Sequence, residues 1–255
     1  MSAPFAKSLD ELPETTQCVV DGLRRGLLEV FADDLAAIWL YGGSLFAPMA
    51  LDIDLHVLLA RRPQPNDGRR ILELHATISN NTRWVNELDC WYILLDDASR
   101  PEPPANVGPR HPGIRDEHWP LHRAQWLAGA CIVVHGTSPS NIVRPPGWHE
   151  LEGVLRRELI DEADDGGRPG GAASPYWTLQ LCRVLASLET RDVVRSKLDS
   201  GAWALGRLQR DTHPIIKAAM RYYSRSSRDG DEQLIERTYG DFYAAVRTLI
   251  ESRRD

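Results

Sequence analysis

Three carboxylates interrupt two apolar segments that otherwise have the composition of buried β-strands. Asp52 and Asp54 alternate with apolar residues in LDIDLHVLL (residues 51–59), and Asp89 stands inside ELDCWYILL (residues 87–95). Alternate side chains of a strand point to the same face, so we expect Asp52 and Asp54 to lie side by side. Two neighbouring ionised carboxylates repel each other unless they are solvated, share a proton or bind a cation.

These residue types favour a magnesium site. Mg²⁺ prefers carboxylate oxygens and keeps coordination positions for phosphate oxygens. If the two segments are neighbouring strands, Asp89 lies opposite Asp52 and Asp54, and three converging acids are typical of two-metal phosphoryl or nucleotidyl transfer. One acid can also accept a proton from the attacking group. The alternative is an unrelated α/β protein whose Asp-x-Asp is solvated, in which case Asp89 would lie far from Asp52.

A glycine turn precedes the first acidic strand. Residues 36–41 (AAIWLY) have the composition of a strand and run directly into Gly42, Gly43 and Ser44. Glycine lets the backbone approach a ligand closely, and backbone N–H groups together with a hydroxyl are suited to binding an anion. Placed just before two acids, this turn is a candidate phosphate cradle.

The hydrophobic periodicity divides the chain into two halves. The first half alternates helices and strands, and its proline-rich residues 99–113 are expected to form a loop. Its predicted helices are residues 16–33, 68–81 and 121–130, and its predicted strands are residues 36–41, 51–59, 87–95 and 131–135. From Trp148 onward the periodicity is helical almost throughout. We therefore predict an α+β protein, with an α/β domain containing a small mixed sheet over residues 1–147 and a helical bundle domain over residues 148–255.

The composition narrows the class of protein. Of 255 residues, 42% are hydrophobic and 26% are charged, which is typical of a folded globular chain. The net charge of -6 gives no overall attraction for a nucleic-acid backbone, so a nucleic-acid partner is disfavoured. We expect no membrane span, no signal peptide and a cytoplasmic location. The four cysteines lack the CxxC spacing of zinc sites and are expected to be buried thiols.

The order of these motifs resembles the nucleotidyltransferase superfamily that includes DNA polymerase β. The second half is similar to the helical domain of aminoglycoside adenylyltransferases that act on streptomycin and spectinomycin. That similarity is carried by Arg183 in LQLCRVL and by Ser196, Lys197 and Trp203 in VVRSKLDSGAWAL. The segment HRAQWLAGACIVVHGTSPSNIV resembles the link between the two domains of this family.

The resemblance implies a role for each candidate residue. The implied residues are Gly43, Ser44, Arg183 and Lys197 for the triphosphate of ATP, and Asp52, Asp54 and Asp89 for Mg²⁺. Asp89 is also the implied general base. Arg183 and Lys197 are expected to reach the phosphates from the second domain, where positive charge would stabilise the leaving pyrophosphate.

The implied function is Mg-dependent transfer of AMP from ATP to a hydroxyl of a small, cationic acceptor such as an aminoglycoside, which is an antibiotic-resistance activity. Drug-binding members of the family carry an acid shortly before the arginine, where this chain has Ala173 and Ser174. The identity of the acceptor therefore stays open. Two alternatives remain: a nucleotidyltransferase that modifies a protein or RNA, and a non-catalytic nucleotide-binding regulator of the same fold.

Overall fold

The computed structural model of the chain describes residues 5–46, 52–81, 88–165 and 173–252. The chain forms two compact units, one over Pro4–Gly147 and one over Trp148–Asp255. The first unit combines a small sheet with helices, and the second is helical. The α+β class predicted from the sequence is confirmed.

A four-stranded mixed sheet is the centre of the first unit. Its strands are β1 (Leu35–Tyr41), β2 (Ile53–Leu59), β3 (Leu88–Leu94) and β4 (Ile132–Gly136). They are arranged in the order β3-β2-β1-β4, with β1 antiparallel to both β2 and β4 and with β2 parallel to β3. Parallel strands require a crossover connection. The helix α2, which lies between β2 and β3 in the chain, belongs to that connection.

Helices cover the two faces of this sheet. They are α1 (Glu14–Phe31), α2 (Pro65–Asn81), α3 (Leu95–Ala98) and α4 (Trp119–Leu127). On one face, Leu23 of α1 packs in a cluster with Leu55 and Val57 of β2. On the other face, Trp119 and Trp126 of α4 pack with residues of β1 that include Trp39 and Tyr41. The alternation of β2 therefore buries Leu55 and Val57 on the first face and places Asp54 and His56 on the second.

The second unit is built around one buried helix. Its helices are α5 (Trp148–Asp165), α6 (Pro175–Thr190), α7 (Lys197–Leu205), α8 (His213–Tyr223) and α9 (Asp231–Glu251). The helix α6 packs against each of the other four. It begins at Pro175, and its N-cap Ser174 accepts a hydrogen bond from the backbone N–H of Trp177. Proline at the first position and serine at the cap are the usual start of a helix.

The cysteines differ in part from the sequence expectation. Cys90 and Cys182 are buried and Cys131 is half-buried, but Cys18 is exposed. The expectation was wrong for Cys18, because this residue lies on the solvent side of α1, opposite the buried positions Val19 and Leu23. None of the described helices combines the length and the apolar character that crossing a membrane requires.

Candidate active site

Asp54 and Asp89 lie next to each other at one edge of the sheet. Asp54 is the second residue of β2, Asp89 is the second residue of β3, and the parallel register pairs the two. The antiparallel register of β1 pairs Tyr41 with Asp54. Residues paired across neighbouring strands point to the same face. The side chains of all three therefore share the face that α4 covers, where Asp89 is exposed and Asp54 is half-buried.

The glycine turn brings the backbone against the carboxylates. Gly42 has φ +77, and a Cβ at this position would lie 1.8 Å from Oδ2 of Asp54. A Cβ at Gly43 would lie 3.1 Å from Oδ1 of Asp52. Only glycine combines this backbone conformation with so close an approach. Asp52 and Asp54 are thus both held beside the turn. Residues 47–51 of the intervening loop lie outside the described residues.

Ser44 stabilises the turn through its side chain. Its side chain is buried, and its hydroxyl donates a hydrogen bond to the backbone carbonyl oxygen of Tyr41 at 3.1 Å. The hydroxyl proton of Ser44 is therefore already donated to the backbone and is not directed at a ligand. A phosphate at this turn would be bound by backbone N–H groups instead, with the exposed Gly43 as the point of approach.

Several carboxylates act on Tyr41 at this edge of the sheet. Burial raises the pKa of the Tyr41 hydroxyl well above its usual value, and the carboxylates of Asp54, Asp116 and Asp89 raise it further. Tyr41 is therefore neutral and adds no charge of its own to that of the carboxylates. Asp52, Asp54 and Asp89 offer only carboxylate oxygens, which is the ligand chemistry that fits Mg²⁺.

Comparison with known proteins gives a match to a family model and matches to several solved structures. Residues 158–243 match the family model described as aminoglycoside adenylyltransferase, C-terminal domain. The chain is similar in structure to spectinomycin adenyltransferase AAD(9) from Enterococcus faecialis, solved with ATP and spectinomycin; the TM-score is 0.71 at 12% identity, covering 90% of this chain and 98% of that chain. The expected resemblance to aminoglycoside adenylyltransferases is confirmed. No curated protein sequence matches the chain.

The two basic candidates lie in the part that matches the adenylyltransferase C-terminal domain. Arg183 is a half-buried residue of α6. Lys197 is the first residue of α7, and its Nζ lies 3.8 Å from the ring centroid of Tyr176 and 5.8 Å from that of Tyr223. Contact with aromatic faces stabilises an ammonium group in its charged form. Lys197 therefore presents a positive charge that neighbouring aromatic rings hold in place.

Sequence reasoning missed two polar residues behind the acids. Among the described residues, one group of three side chains could bind a metal: His56, Asp116 and His122. Their ligand atoms all lie within 4.8 Å of one another. Neither Asp116 nor His122 was singled out from the sequence. Asp116 lies 60 positions from His56 in the chain, and no spacing motif joins them.

Proposed function

We propose that the protein is a nucleotidyltransferase that transfers AMP from ATP to a hydroxyl of a small aminoglycoside-type acceptor, with Mg²⁺ as its cofactor. The proposal is carried by one observation: Asp54 and Asp89 are paired on neighbouring strands beside the Gly42 turn. The match to the adenylyltransferase C-terminal domain supports the class of enzyme. The shared fold with a protein solved with ATP and spectinomycin supports the donor and the class of acceptor.

The three acids would hold the metal. Asp52 and Asp54 approach the turn from one side, and Asp89 stands beside Asp54. Mg²⁺ bound to these oxygens supplies positive charge to the phosphate oxygens of ATP. The donor set fits because it is made only of carboxylates, and because the crowding of negative charge at this edge is relieved by a divalent cation.

The remaining groups bind and orient the reactants. Backbone N–H groups at Gly43 and Ser44 would contact the triphosphate, because the Ser44 hydroxyl is bound to Tyr41. Asp89 is exposed, so its second oxygen can accept the proton of the acceptor hydroxyl as the bond to phosphorus forms. Arg183 and Lys197 would neutralise charge on the phosphates that leave.

The test is transfer of label from ATP to a panel of aminoglycosides in the presence of Mg²⁺. Asp54→Asn and Asp89→Asn are expected to lower the rate by roughly 100-fold to 10,000-fold, the usual range for loss of a proton-transfer or charge-stabilising group. Asp96→Asn is the matched control, because Asp96 is an exposed acid just after β3. Unchanged transfer in both site variants would contradict the assignment of the acids.

A second readout separates the two roles of Asp89. If Asp89 acts mainly as the general base, Asp89→Asn binds Mg-ATP as well as the unaltered protein does but transfers AMP slowly. If it acts mainly as a metal ligand, nucleotide binding weakens as well. Labelled ATP added to a whole-cell lysate, followed by separation of small molecules from macromolecules, decides between an aminoglycoside-type acceptor and a protein or RNA acceptor.

A further inference from the structure

Two imidazoles converge on one carboxylate oxygen behind the acidic edge. The Nε2 atom of His56 lies 3.1 Å from Oδ2 of Asp116, and the Nδ1 atom of His122 lies 2.8 Å from the same oxygen. The three residues come from β2, from the loop before α4 and from α4 itself. They are 0%, 2% and 18% exposed by side chain, respectively, so the group is almost fully enclosed.

From this geometry we propose that His56, Asp116 and His122 form a binding site for a transition-metal cation of the Zn²⁺ type. Two imidazole nitrogens and one carboxylate oxygen are a common protein ligand set for such ions, and they leave a fourth position for water. The site is separate from the proposed Mg²⁺ site, which offers only oxygen. The proposal does not depend on nucleotidyl transfer.

The three ligand atoms already lie close to the separations that a bound metal ion requires. Ligand atoms bound about 2.1 Å from a tetrahedral Zn²⁺ stand about 3.4 Å from each other. The two contacts to Asp116 are within about 0.6 Å of that separation, and all three ligand atoms lie within 4.8 Å of one another. The two imidazole nitrogens are at most 4.8 Å apart, up to about 1.4 Å more than the tetrahedral value, so the imidazoles would rotate toward each other to bind an ion.

The carboxylate of Asp116 is held in place by the backbone, and its negative charge faces two imidazoles. Oδ1 of Asp116 accepts a hydrogen bond from the backbone N–H of His118 at 3.1 Å, which fixes the carboxylate and turns Oδ2 toward the imidazoles. Among the described residues, the ion-pair partners of Asp116 are His56 and His122, without an arginine or a lysine. A buried carboxylate paired only with imidazoles is well matched by a divalent cation.

Aromatic rings surround the site. The ring of Tyr41 lies 5.1 Å from that of His56 and 4.8 Å from that of His122. The ring of Trp126 lies 4.9 Å from His56 and 5.8 Å from His122. In the described part of the chain, Nδ1 of His56 has no hydrogen-bond partner, so no acceptor fixes its proton. Without a metal, Nε2 of His56 is placed to donate its proton to Asp116, and a metal bound at Nε2 would take the place of this proton.

The test uses Co²⁺ as a spectroscopic probe in place of Zn²⁺. The full chain is stripped with chelator, titrated with Co²⁺, and followed by visible absorption and by metal analysis after dialysis. We expect one Co²⁺ per chain with the intense bands of tetrahedral coordination, displaced by Zn²⁺. His122→Gln and Asp116→Asn should each weaken binding by at least about tenfold, because each removes a ligand.

Two control variants locate the bound ion. Asp54→Asn should keep full Co²⁺ binding, which excludes the acidic edge as the site and distinguishes this proposal from the proposed function. His149→Ala should also keep it, because His149 is an exposed histidine of α5. Circular dichroism verifies that His122→Gln, the substitution at the least buried ligand, is folded. Absence of stoichiometric binding in the unaltered chain, or equal binding by a folded His122→Gln variant, would overturn the proposal.

Discussion

Replacing Gly42 by alanine is the most direct test of how the turn positions Asp54. The new Cβ would lie 1.8 Å from Oδ2 of Asp54, so this oxygen must move by at least 1.2 Å to restore even a 3.0 Å contact. A displacement of about 1 Å at a reacting group can lower a rate by about 100-fold. We therefore expect AMP transfer by Gly42→Ala to fall by about that factor, which corresponds to about 2.7 kcal/mol of transition-state stabilisation.

The substitution has a second effect that must be separated from the first. Gly42 has φ +77, and a non-glycine residue in this region is destabilised by about 1–2 kcal/mol. Gly129 offers the matched control, because it has φ +88 and a Cβ there would meet nothing within 4 Å. Gly129→Ala should show a similar loss of stability and no loss of transfer.

The assay compares the two variants by urea unfolding and by kcat/KM for transfer of labelled AMP. We expect similar losses in the free energy of unfolding but a large difference in kcat/KM. If Gly42→Ala transfers AMP as fast as Gly129→Ala does, the turn does not position Asp54 for catalysis. Equal and large losses of activity in both variants would also refute the argument, because backbone strain alone would then explain them.

Two further predictions concern stability. Burial, assisted by the charge of Arg110, lowers the pKa of His75 to about 4. The unfolded chain therefore binds a proton at His75 more readily than the folded chain does. The free energy of unfolding should fall by about 3 kcal/mol in total as the pH drops from 6.5 to 4. Urea unfolding across that range should show a weaker pH dependence for His75→Gln, and an unchanged dependence would contradict the assignment. Ser196 caps α7 by accepting a hydrogen bond from the backbone N–H of Asp199, so Ser196→Ala should lower the free energy of unfolding by about 1 kcal/mol while Ser196→Asn restores most of it; equal stability of the two variants would show that the cap does not contribute.

The strands were predictable because their residues satisfy two local rules at once. Branched and aromatic side chains favour extended backbone, and the alternation in LDIDLHVLL assigns Asp54 and Leu55 to opposite faces without knowledge of any partner strand. The helix α2 was predicted from Gly68, but the structure begins it at Pro65. Proline fits the first turn of a helix, so the pattern of apolar residues alone placed the start too late.

Of the candidate site, the sequence could predict only the residues that are unusual in their own local context. Acids inside an apolar strand, and two consecutive glycines after a strand, are unusual among their sequence neighbours. These features indicated Asp54, Asp89 and the turn as candidates. Asp116 gives no such signal, since an acid in a loop before a helix is ordinary. Its contact with His56 exists only because α4 packs across the sheet, and tertiary packing of this kind is not encoded in the spacing of residues.

The in-register pairing of Asp54 with Asp89 makes the site sensitive to small insertions. Because side chains alternate along a strand, one residue added between Leu88 and Asp89 would turn Asp89 to the opposite face and leave the added residue beside Asp54. The buried residues of β3 would reverse with it, so folding and chemistry would fail together. Natural or engineered length variation in this unit is therefore expected to be confined to its loops, while β2 and β3 keep a fixed length relative to each other.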